Sequence, residues 1–377
     1  MVSTGLWGSG QAGSSYDIAG SNGGYALDNG YVRSQRGNDD IKWETTTQHN
    51  IGFDFGLIRN EIYGSFDWFY KLTSDILLPM DGIAAMGEGA SKWINAGEMK
   101  NTGWELAVGY RHRTSYGLSW DINGNIAQYK NEITKLPETV AAKGTFGGNG
   151  VKSVVGHPMG AQVGYVADGI FKSQEEIYNH ATQEGAGLGR IRYKDLNNDG
   201  RVNEEDQTWI YDPTPDFTWG LNIYLQYKNF DFTMFWQGVQ GVDVDCRGYK
   251  SQTDFWANSN INVPYLNKGV RVLDAWSLSN PGSSIPALTT SDTNNEGRVS
   301  SYYIENGSYA KLRTVQLGYN VPDAFAAKLK LERIRLYLSA QNLITIKSSD
   351  FSGADPENPG FNYPIPLNLT FGLNVSF

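Results

Sequence analysis

FTWGLNIYLQYKNFDFTMFWQG, residues 217–238, decides the fold. Phe217, Trp219, Leu221, Ile223, Leu225 and Tyr227 are large and apolar, and Thr218, Gly220, Asn222, Tyr224 and Gln226 between them are mostly small or polar. A period of two describes a β-strand with one apolar and one wet face. After a tight turn at Lys228 and Asn229, Phe230, Phe232, Met234 and Trp236 alternate with Asp231, Thr233, Phe235 and Gln237, so the pair is an amphipathic hairpin. At ~3.3 Å per residue the first strand is roughly 33 Å long, and a tilt of about 40° reduces its height to roughly 25 Å, that of a bilayer's apolar band. Aromatics stand at both ends of the apolar face, where rings with a polar edge suit a membrane–water boundary.

The alternation recurs along the chain. Ile51, Phe53, Phe55 and Leu57 carry it first, then the strand from Ile62 to Leu72, then Trp104 to Tyr110, Leu118 to Ile126, Val315 to Tyr319, Ile334 to Ala340, and Leu367 to Phe377. With the hairpin this makes about nine strands by the period-two criterion. Short turns follow Leu57, His112, Tyr227 and Tyr319, and long connections are expected at 78–100, 131–215, 241–307 and 347–366. Residues 1–46, rich in Gly, Ser, Asn and Asp, are expected to be an extracellular loop region, with the barrel segment over 47–377. Turns on one side and long loops on the other describe an antiparallel transmembrane β-barrel with periplasmic turns and extracellular loops. Nine strands leave two open edges, so the segment is expected to belong to a larger barrel.

Composition narrows the function. A formal charge of −9 in 377 residues provides no basic surface for nucleic acid. The single cysteine, Cys246, excludes an internal disulfide and a cysteine-based metal cluster. No apolar run approaches the length of a membrane-spanning helix, and a mean hydropathy of −0.43 suits alternating strands. The first residues, MVSTGLWGSGQAG, do not form a signal peptide, and an exported protein needs one, so the native start is expected upstream. Gly8, Gly10 and Gly13 match a dinucleotide spacing without the strand and helix that give it meaning. His49, His112, His157 and His180 show no zinc spacing, and there is no G-x-S-x-G nucleophile elbow, so no enzyme and no organic cofactor is expected.

The sharpest local motif runs from Asp195 to Asp206. Asp195, Asn197, Asp199, Arg201 through its carbonyl, Asn203 and Asp206 occupy the ligand positions of a calcium loop, with Gly200 at the sharp turn. Asp206 replaces the usual bidentate Glu; the plainer alternative is an acidic, metal-free turn. Ser173 with Glu176 forms a capping-box pattern at a helix start. Trp93, Trp256 and Trp276 are candidates for stacking on sugars or for packing within loops. Asp54, Asp67, Glu105, Asp121, Arg333 and Arg335 are placed on the lumen face as a solvated wall. Substrate-binding residues cannot be singled out.

Several segments together resemble the C-terminal barrel half of SusC/RagA-type TonB-dependent outer-membrane transporters. They include IKWETT (41–46), NIGFDFGL (50–57), NAGEMKNTGWEL (95–106), RYKDLNNDGRVNEEDQ (192–207), YKNFDFTMFWQGVQG (227–241), SYAKLRTVQLGYNVP (308–322), DPE (355–357) and the terminal LTFGLNVSF. The resemblance implies a plugged barrel of about 22 strands, driven through the TonB complex, lidded by a SusD-like surface lipoprotein and importing oligosaccharides or peptides. It also implies that Phe377 is the barrel-assembly signal, and that plug, TonB-contacting segment and first barrel half are missing from these residues. The alternative class is a secreted soluble β-protein that binds glycans through calcium-stiffened aromatic loops; only a barrel would expose the apolar faces.

Overall fold

A computed structural model describes residues 6–9, 15–19, 25–29, 31–80, 91–138, 152–255, 267–290, 294–360 and 362–377. Nine long strands form an antiparallel meander: β1 (Thr45–Leu57), β2 (Ile62–Met80), β3 (Ser91–Arg113), β4 (Leu118–Lys135), β5 (Phe217–Tyr227), β6 (Phe230–Gln240), β7 (Tyr309–Asn320), β8 (Arg333–Lys347) and β9 (Asn368–Ser376). Each pairs with its sequence neighbours. Among the described residues the sheet is open: β1 pairs only with β2, and β9 only with β8.

Register joins the strands into one wall with two different faces. One row of partners runs Leu57, Ile62, Tyr110, Ile122, Ile223, Met234, Val315, Ala340, Leu369, one apolar residue from every strand. Among the described residues no second layer covers it, and Leu57, Tyr110, Ile122 and Leu369 are exposed. The next row, from the opposite face, includes Arg111, Asp121, Tyr224, Thr233, Gln316, Ser339 and Thr370. A one-residue slip would exchange these faces, so the register is fixed wherever the two faces meet different surroundings.

Connections follow the expected asymmetry, with two differences. At one end the turns are short: Ile58, Arg59 and Asn60 all take positive φ, as do Gly117 and Lys228, and a helix at Asp323–Lys328 spans the gap before β8. At the other end, the connection expected over 78–100 is shorter, because β2 runs to Met80 and β3 begins at Ser91. Beyond the apolar band both faces meet water or loop, so alternation ceases while backbone pairing continues. Residues 1–46 are not loop throughout. They hold strands at Leu6–Ser9, Ser15–Ala19, Tyr25–Asn29 and Tyr31–Arg36, the last lying parallel to the start of β3. Ladder pairing is backbone chemistry, and a Gly/Ser/Asn/Asp composition leaves no period to detect it.

Candidate functional site

The long connections fold together into a module on the loop side. Ile170, Ile191, Tyr193, Phe255, Trp276 and Tyr303 make its core. Polar side chains stitch the two longest connections: Gln183 donates to the Ile191 carbonyl (2.8 Å) and to Asn294 (3.0 Å), and accepts from the Tyr193 amide (2.9 Å). Glu296 receives Arg190 (2.7 Å) and the Ile191 amide (3.0 Å), both out of water. The Asp254 carboxylate binds Arg271 (2.6 Å) and Tyr302 (2.6 Å), and Lys250 pairs with Glu305 (2.8 Å). Cys246 is buried in this module, which pushes its thiol pKa up and leaves it inert.

Of the three candidate tryptophans, Trp276 packs within the module core at 7 % exposure, so its ring is not presented to a sugar. Trp93 stands in β3, half-buried, its carbonyl accepting from Asn38 (2.8 Å). Trp256 lies outside the described residues, as do Gly10 and Gly13. Ser173 caps the helix Gln174–Asn179 by accepting from the Glu176 amide (3.1 Å), while Glu176 accepts from the Lys172 amide (2.8 Å).

The Asp195–Asp206 loop curls round its own side chains. Asp195 accepts the amides of Asp199 (3.3 Å) and Gly200 (2.9 Å), and Gly200 sits at φ +84°, the sharp turn its position predicts. Asn197 and Asn203 both reach the Asp199 carboxylate, at 3.3 and 3.5 Å. Asp206 turns inward, fully buried, and accepts from Leu196 (2.7 Å), Asn197 (3.3 Å) and Asn203 (2.8 Å). Among the described residues no group of three His, Cys, Asp or Glu side chains is gathered for a metal ion.

Asp54, Asp67, Glu105, Asp121, Arg333 and Arg335 all fall in phase with the polar face. They are spread over the wall rather than gathered in one site. Tyr63 lies across Gly109, where a Cβ would come within 2.2 Å of the ring, and so reaches Asp121 two strands away (2.6 Å). Arg335 holds Asp231 through two hydrogen bonds, at 2.5 and 3.1 Å.

A cluster that residue spacing alone does not reveal lies near the loop end of β7. Lys311, 1 % exposed, binds both oxygens of Asp355 (2.7 and 2.8 Å) and one of Glu357 (2.5 Å). Arg313 bonds Gln237 (2.9 Å) and Glu357, and Tyr309 donates to Glu357 (2.6 Å). The last long loop is thereby fastened to the inner wall. Burial acts to raise the Glu357 pKa, but the hydrogen bonds from Arg313, Lys311 and Tyr309 outweigh it and hold the carboxyl down at about 2.

An antiparallel wall that is apolar outside and polar inside, with turns at one end and a folded loop module at the other, defines an outer-membrane β-barrel protein. The chain belongs to the TonB dependent receptor-like β-barrel family, whose model matches residues 7–343. It is 32 % identical to TonB-dependent receptor P3 of Formosa agariphila, over 93 % of this chain and 36 % of that protein. To TonB-dependent receptor SusC of Bacteroides thetaiotaomicron it is 26 % identical, over 90 % of this chain and 32 % of that protein. The fold superposes on the structure of the RagAB peptide transporter with a TM-score of 0.75 at 22 % identity, covering 100 % of this chain and 39 % of that one. The chain therefore spans about a third of the length of the curated relatives it matches. SusC by sequence and the RagAB transporter by fold are thus among the proteins it is similar to.

Proposed function

We propose that this chain forms part of the wall and the external mouth of an importer for oligosaccharides or peptides. In this reading the short turns face the periplasm and the loop module faces outside. TonB drives transport, a SusD-like surface lipoprotein covers the mouth, and the plug, TonB-contacting segment and further strands are supplied by protein beyond these 377 residues. The supporting observation is the apolar row that crosses all nine strands with no second layer over it among the described residues. A soluble glycan-binding protein would have to bury that face. The open edges point the same way, because unpaired backbone groups in lipid each cost several kcal/mol. Deleting the gene in its host and measuring uptake of labelled oligosaccharides and peptides tests this. Uptake of one class should fall, and fall equally when TonB is inactivated; unchanged uptake of both sinks the reading.

A second proposal concerns calcium, supported by the order of oxygen-bearing side chains from Asp195 to Asp206 and by the positive φ at Gly200. The side-chain oxygens of Asp195, Asn197, Asp199, Asn203 and Asp206 and the Arg201 carbonyl would hold the ion; all five side chains also accept backbone amides within the loop. Calcium here would stiffen a surface loop rather than take part in chemistry. Calorimetric titration should show one site that Asp199→Ala abolishes; equal binding by the variant refutes it.

A further inference from the structure

The inner wall is polar along most of its height but not at the loop end of β2, β3 and β4. There the inward partners Thr73, Met99 and Ile133 form a row that is apolar but for the Thr73 hydroxyl. Asp75 takes φ +58° and the register of β2 shifts twice between Thr73 and Leu77, bringing the consecutive Ile76, Leu77 and Leu78 to the same place. Gly97 keeps it open, since a Cβ there would stand 3.1 Å from both Ile76 and Leu78. Met159, whose amide is held by the inward Asn131 (2.7 Å), closes the far side. The result is a pocket of about 460 Å³ lined by Ile76, Leu78, Trp93, Met99, Ile133 and Met159, among others.

Its charge is one-sided. Among the described residues, two acids and no base line the pocket. The Glu98 carboxylate is taken by Thr134 (2.7 Å), while Glu44 stands at the rim with one oxygen on the Leu77 amide (3.1 Å). Sugar hydroxyls would find few partners here, and a polar group buried without one is penalised. A hydrocarbon side chain gains from the same walls, and an adjacent cation gains from Glu44.

We propose that this pocket is a cargo subsite, taking an apolar side chain of a peptide whose neighbouring residue is positively charged. The inference rests on the importer reading, and deepens it by preferring peptide to glycan. The pocket opens on the inward side of the wall, with Met159 of the connection after β4 against it. The walls select the side chain, Glu44 selects the charge beside it, and Gly97 keeps the space free.

The test is direct binding to the purified full-length transporter that contains this chain. The probes are synthetic hexapeptides carrying Leu-Lys, Ser-Lys or Leu-Glu at their centre, and maltohexaose. The Leu-Lys peptide should bind roughly 10- to 100-fold tighter than Ser-Lys, the range expected for burying one such side chain. Met159→Ser should reduce that preference several-fold, and Glu44→Gln should bring Leu-Lys and Leu-Glu together. Because a pocket variant can fail to fold, Met159→Cys supplies a second measurement: maleimide should label it without ligand and slowly with the Leu-Lys peptide. Equal affinity for the Leu-Lys and Ser-Lys peptides, no binding of either, or competition by maltohexaose overturns the proposal. So does a thiol that the Met159→Cys variant shields from maleimide without ligand, which would mean that another part of the transporter fills the pocket. Loss of these signals with TonB-dependent uptake intact refutes the subsite alone; absence of any uptake refutes the importer reading.

Discussion

Glu357 shows how a single side chain ties a loop to the barrel wall. Its pKa of about 2 lies below the ordinary carboxylate value of 4.5, so the ionised form is the one the folded loop prefers. The stabilisation is therefore fully present above pH 4.5 and is lost as pH falls from there towards about 2. Hydrogen exchange in the loop at 348–367 should accelerate over that window, and Glu357→Gln should show the faster exchange already at pH 7. Identical exchange rates in variant and parent at pH 7 would remove the latch. At the chain end, Phe377 follows β9 in phase with the outward Phe371, Leu373 and Val375 and is almost wholly exposed. If it is the assembly signal proposed from the family resemblance, its deletion lowers the amount of folded protein in the outer membrane several-fold, measured by heat-modifiable migration; an undiminished folded band rules the role out.

Elements differ in how much of themselves they write into the sequence. β5 and β6 are legible to the residue because lipid on one face and water on the other demand alternation along their whole length. β7 is legible only from Val315 onward. Between Leu312 and Thr314 its register shifts, with Arg313 the extra residue against β6, and beyond the shift the outward position moves from odd to even numbers. A period count breaks there, although Tyr309–Leu312 is strand. The loop module left still less trace, because its core and its Gln183, Asn294 and Glu296 stitching unite residues about a hundred positions apart. The capping of Gln174–Asn179 was readable because Ser173 and Glu176 are local. The latch lies between these cases: DPE at 355–357 stood out only through family resemblance, and nothing in its spacing indicates Lys311. Glu296→Ala strands the Arg190 charge out of water and should destabilise the module by about 3–5 kcal/mol. Exchange protection at Ile191 and Tyr193 should collapse while that of β5 and β6 persists; retained protection would show that the module does not depend on this pair.

For the molecule as a whole, the two faces of one sheet meet two solvents, and function follows from which face meets which. The outward row joins every strand of the wall to the bilayer, the inward rows make a polar lining, and the folded connections stand at one mouth. A cation forced onto the outward row at mid-membrane, Ile223→Lys, should cost about 2–4 kcal/mol of folding stability in lipid. The neighbouring inward Asn222→Lys should cost much less, since Asn222 donates to Asn123 on the polar face (3.1 Å). The most direct measurement of the central claim is a scan of single spin labels from 217 to 227 in the membrane-embedded protein, comparing collision with oxygen against a water-soluble nickel chelate. A period of two is expected, with odd positions reached by oxygen from lipid and even positions by the chelate from the lumen. Odd positions shielded from both reagents, as in the core of a soluble sandwich, would contradict it.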